Sequence, residues 1–147
     1  MKIKAFADYK SDEKLEDEGV WSPMADGVDF KIRRLRSKIV EKARERIYGP
    51  HERALGPRKK SLPDGLETQL TIQLLAQAVI VDWKGPGMVD DDGKAIPFTV
   101  ENCAEVISDA DTGKDIRAAV LQYGMDGEHY APTSKEAVID EGNSQTS

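Results

Sequence analysis

A chain of 147 residues, 39% hydrophobic and 33% charged, is long enough for one modest, mostly aliphatic core beneath a well-hydrated surface. Its single cysteine, Cys103, and its two histidines, His51 and His129, exclude an internal disulfide framework and a cysteine-based zinc cluster. The net charge of −6 is unevenly spread: residues 31–60 hold twelve Lys/Arg against three acids, a +9 stretch that leaves −15 for the remainder,.

Residues 1–18 are charged and end in Lys14-Leu15-Glu16-Asp17-Glu18, which reads as a flexible N-terminal arm. Met1–Tyr9 lacks the apolar run of a signal peptide, and no stretch approaches a membrane span, so a reducing cytoplasm is expected. Val28, Phe30 and Ile32 alternate with polar residues, and Asp26-Gly27 is a favourable hairpin turn; together they predict a β-hairpin over 19–35. From Ser37, a capping residue, Ile39, Val40, Ala43 and Ile47 recur at helical spacing. That predicts a helix over about 37–48, stopped by Gly49-Pro50. Residues 51–63, basic and punctuated by Gly56-Pro57 and Pro63, read as a loop or a broken short helix.

A second helix is expected over about 64–83, with Ser61 or Asp64 as its cap. Leu66, Leu70 and Leu74 form its apolar stripe, widened by Ile72, Leu75, Val79 and Trp83, with Gln69, Gln73 and Gln77 on the opposite side. Gly85-Pro86-Gly87 ends it, and Asp90-Asp91-Asp92-Gly93 makes a polar loop. Two further helices are predicted over about 99–108 and 114–125, the first capped by Thr99. From 131 to 147 the composition is that of a disordered tail. The 19–130 region is therefore read as one mainly α (α+β) domain, a β-hairpin followed by helices, with flexible ends. Trp21, Phe30, Leu70, Leu74, Trp83 and Phe98 are its expected structural residues.

No segment carries a convincing catalytic or metal-binding pattern. If Gly93 were the sixth position of a calcium loop, the first and twelfth would fall on Met88 and Thr99, where carboxylates are needed. Lys84-Gly85-Pro86-Gly87 lacks the spacing of a phosphate-binding loop. Cys103 lies on an apolar face with Val100 and Ile107, where a thiol is ordinarily inert packing. Asp82 comes closest to a tuned carboxylate, and solvation at a helix end explains it as well. No enzyme, cofactor or metal is expected. The basic stretch offers candidate partner-binding residues: Arg33, Arg34, Arg36, Arg44, Arg46, Arg58, Lys59 and Lys60. An acidic protein suits them, and a nucleic acid is the alternative, although Tyr48 is the one aromatic there for stacking.

The order of features narrows this reading. Gly19-Val20-Trp21, Asp26-Gly27-Val28-Asp29-Phe30, Trp83-Lys84-Gly85, Asp92-Gly93-Lys94 and Pro97-Phe98-Thr99-Val100-Glu101-Asn102 follow one another over residues 18–130. The arrangement resembles the tail assembly chaperones of long-tailed bacteriophages. The resemblance implies a non-enzymatic protein of the host bacterial cytoplasm. It would bind the tape measure protein, assist assembly of tail tube subunits, and be absent from the finished virion. It also implies a longer frameshifted form of the same protein, of which this chain would be the short product. Homo-oligomerisation is compatible with it. The alternatives are a nucleic-acid-binding regulator using residues 31–60 and a structural tail or head–tail joining component.

Overall fold

In a computed structural model, the described residues are 1–9, 11–56 and 61–132. The expected tail beyond Pro132 and the predicted site residues Arg58, Lys59 and Lys60 lie outside them. The described residues form a mainly α fold around one three-stranded antiparallel sheet.

After a short 3-10 turn (Lys4–Tyr9) comes α1 (Glu13–Glu18), capped by the Asp12 carboxylate, which accepts the Lys14 N–H at 2.8 Å. The predicted hairpin follows as β1 (Val20–Ala25) and β2 (Val28–Ile32), joined by the Asp26-Gly27 turn. Phe30 and Ile32 point into the core as their alternation requires. Pro23 and an adjacent bulge lie on β1, an edge strand, where a missing N–H costs no ladder bond,.

α2 spans Lys38–Ala54, with Ser37 as its cap, and buries Val40, Ala43, Ile47 and Tyr48. The Gly49-Pro50 stop expected from the sequence does not operate. Pro50 removes one N–H, but the helix continues another turn. Two ion pairs span the break, Arg44–Glu52 at 3.4 Å and Arg53–Glu45 at 2.7 Å. The Tyr48 hydroxyl also ties this turn to Thr71 of the next helix at 2.9 Å.

The largest departure concerns the expected 64–83 helix. α3 covers only Asp64–Leu74 and starts at Pro63, with neither Ser61 nor Asp64 as a side-chain cap. Leu75–Val79 form a π-helical turn in which the Ile80 N–H reaches back to Leu75 O. Ile80–Lys84 then form β3, paired with β2 through Phe30↔Trp83 and Ile32↔Ile80. Leu75, Ala76, Ala78, Val79 and Ile80 are all buried, and so short an apolar run, broken only by the exposed Gln77, fits helix and strand alike. The β-branched Val79-Ile80-Val81 favour the strand. Without β3, the second edge of β2 would be left unpaired. The Arg33 N–H extends the contact to Val79 O at 2.8 Å. The glutamines Gln69, Gln73 and Gln77 are exposed, as the stripe demanded.

α4 (Val100–Ile107) and α5 (Gly113–Met125) lie within two residues of their predicted bounds. A final 3-10 turn, Gly127–Tyr130, buries Tyr130 completely, and its hydroxyl donates to Ile32 O at 3.0 Å. The core runs from Phe30 and Ile32 through α2, α3 and the π turn to Cys103, Ile107 and Val120. No described helix is long and apolar enough to cross a membrane.

Candidate interaction surfaces

The motifs carrying Phe30, Trp83 and Phe98 meet in space. The Trp83 ring tilts against Phe30 (centroids 5.7 Å apart) and meets Phe98 edge-on at 5.0 Å. Its indole N–H donates to Ile96 O at 2.8 Å. Phe98 leads into Thr99, whose hydroxyl accepts the Asn102 N–H at 2.9 Å, while the Asn102 amide donates to Pro97 O at 3.0 Å. The Trp-Lys-Gly and Pro-Phe-Thr-x-Glu-Asn pieces are thus one packed unit that fastens the 85–97 loop to the sheet.

Within that loop the Asp90 carboxylate accepts the N–H groups of Asp92 and Lys94, each at 2.9 Å. It is engaged in holding the turn. Among the described residues no cluster of three or more His, Cys, Asp or Glu is placed to hold a metal ion.

Cys103 is fully buried, and desolvation pushes its thiol up to about 12. Native protein at pH 8 is therefore expected to react with a disulfide reagent far more slowly than urea-unfolded protein, as thiol titration will measure. The folded thiol keeps its proton to higher pH than the unfolded one, whose ordinary value is 9.0. The stability tied to this group is intact below about pH 9 and is lost as pH rises from 9 toward 12.

The predicted basic residues separate into two groups. Arg33 and Arg34 are drawn inward. Arg33 donates from Nε to Asp17 O at 2.5 Å and from Nη1 to Ala78 O at 2.9 Å. Burial lowers its pKa, with the charge of Asp17 opposing. Arg34 is buried and pairs with Glu16 at 3.2 Å and with the Ser11 hydroxyl. Arg36, Arg44 and Arg46 are exposed. Arg44 stacks 4.8 Å over the Tyr48 ring and also pairs with Glu52, and Arg46 donates to Gln77 Oε1 at 3.1 Å. With Lys38–Glu13 and Arg53–Glu45 also paired, much of the positive charge counted along α2 is answered by the chain's own acids.

Between the last turns of α2 and the start of α3 lies a groove of about 550 Å³, lined by Arg44, Tyr48, Glu52, Leu55, Leu62 and Glu67 among others. Burial raises the pKa of the Tyr48 phenol, so this part of the lining is neutral. The groove exists because α2 continues past Pro50, which sequence periodicity did not indicate. Trp21, expected as a structural residue, is half-buried on the outer sheet face, with Lys84 Nζ 4.1 Å and Lys31 Nζ 5.8 Å from its ring. Leu70, Leu74, Phe30 and Trp83 lie in the core, and Phe98 packs against it.

Residues 35–141 match the family described as YdaY prophage protein. The chain belongs to that family. No curated protein and no solved structure matches it. Family membership makes this a phage-derived protein. The match spans α2 to α5, including the groove and the Trp83 unit but not the hairpin.

Proposed function

We propose that this phage-derived protein is a tail assembly chaperone, a non-enzymatic binder that keeps the tape measure protein soluble while tail tube subunits assemble around it in the host cytoplasm. The observation that supports the reading is the unity of the Trp83 region. Three of the pieces on which the resemblance rests, those carrying Phe30, Trp83 and Phe98, pack against one another. A long helical client needs a surface with apolar floor and charged rim. The α2–α3 groove, with Tyr48, Leu55 and Leu62 between Arg44, Glu52 and Glu67, has that character.

Co-expression with the tape measure protein of the same phage genome tests the proposal. The client is expected to move from the insoluble to the soluble fraction and to co-purify with this chain. A client that stays insoluble, with nothing retained alongside the chain, overturns the reading.

A further inference from the structure

The contacts of α1 form an arrangement that neither the core nor the groove requires. α1 contributes no fully buried side chain. It is held mainly by polar groups: the Asp12 N–H on Tyr130 O at 2.8 Å, the Arg34 N–H on Glu16 O at 3.3 Å, Arg33 Nε on Asp17 O, and the Glu16–Arg34 ion pair. The last carbonyls of α1, the negative end of its dipole, thus face Arg33. The acidic run Glu16-Asp17-Glu18 is laid against two adjacent arginines. The fit is incomplete. Among the described residues, Arg34 Nε and Asp17 Oδ1 are buried without a hydrogen-bond partner, a costly state for both atoms.

We propose that Arg33 and Arg34 form a docking site for an acidic peptide segment of a partner protein, and that α1 is its displaceable intramolecular occupant. A guanidinium binds a carboxylate best through two parallel N–H donors. Glu16 engages only Nη1 of Arg34, so a carboxylate bridging Nε and Nη would satisfy the donor that α1 leaves unmet. An element held by polar contacts, with no buried side chain of its own, belongs to the readily opened part of a structure. Occupation by α1 lowers the apparent affinity for an outside peptide by the fraction of molecules in which α1 is seated.

The test uses the full chain and a fluorescein-labelled synthetic peptide with the sequence of residues 11–19, beside a control peptide whose acids are replaced by their amides. The double variant Asp12→Ala/Glu16→Ala removes both the helix cap and the ion pair of α1. It is expected to bind the acidic peptide about tenfold more tightly than the native chain, and the control peptide is expected to bind neither. Hydrogen exchange on the native chain provides a second readout that does not depend on the variant folding. Saturating acidic peptide is expected to strip protection from the amides of Glu16–Gly19 and leave α2 and α5 unchanged. Equal affinity of native and variant chains, equal binding of the control peptide, or unaltered exchange at saturation each overturns the proposal.

Discussion

Replacing Trp83 with alanine is expected to destabilise the fold by about 3–5 kcal/mol, the usual range for truncating a large buried aromatic. The indole is 6% exposed. It supplies the ring contacts to Phe30 and Phe98 and the N–H that holds Ile96 O. Its loss opens a cavity and releases the 85–97 loop together. Trp83→Phe keeps an aromatic ring and gives up the hydrogen bond, and is expected to cost markedly less. Urea unfolding followed by circular dichroism measures both. A loss under about 1 kcal/mol for Trp83→Ala, well below that range, would show that the aromatic unit does not fasten this part of the fold.

Gly85→Ala is the second substitution with a large expected effect. Gly85 has φ +115°, and a Cβ placed there would sit 2.1 Å from Gly27 O and 2.8 Å from Gly27 C. Both are backbone atoms of the hairpin turn, which cannot swing away as a side-chain end can. The Gly87 N–H donates to the same Gly27 O at 2.8 Å, so the loop after β3 is pinned to the β1–β2 turn. Overpacking costs about 1–3 kcal/mol, and an unfavourable backbone conformation on the order of 1–3 kcal/mol more. A combined loss of about 2–6 kcal/mol is therefore expected, with amide chemical-shift changes concentrated at Asp26–Val28. An unchanged urea midpoint with an undisturbed hairpin turn would contradict the close approach.

Elements whose cues are local were legible in the sequence. The hairpin was read from alternation and Asp26-Gly27, and α4 from the Thr99 cap and an apolar face, because strand period, turn chemistry and capping act over a few residues. The ion pairs that span Pro50 in α2 join residues eight apart, beyond the neighbouring-turn spacing a helix reading uses. Among the candidate partner-binding residues, Arg36, Arg44 and Arg46 are exposed as a charge count suggests. Arg33 and Arg34 are instead enclosed by an acidic arm more than a dozen residues upstream. A hint existed in Glu16-Asp17-Glu18, but charge sign alone does not say which oppositely charged stretch it will meet.

In the segment from Leu66 to Asn102, sequence by itself determined the apolar stripe through Leu74, the outward glutamines and the Thr99 cap, whereas Gly85–Gly87, expected to stop a helix, follows a strand instead. Sequence also determined that Trp83 is a packing residue. Only the tertiary structure decided that Ile80–Lys84 is a strand. Its ladder partners, Asp29–Ile32, lie about fifty residues earlier, and a short apolar run such as Ala78-Val79-Ile80-Val81 looks the same to a periodicity argument whether its backbone bonds close within the segment or across to a neighbour. The backbone groups of β2 required a partner, and the β-branched residues after the π turn supplied it.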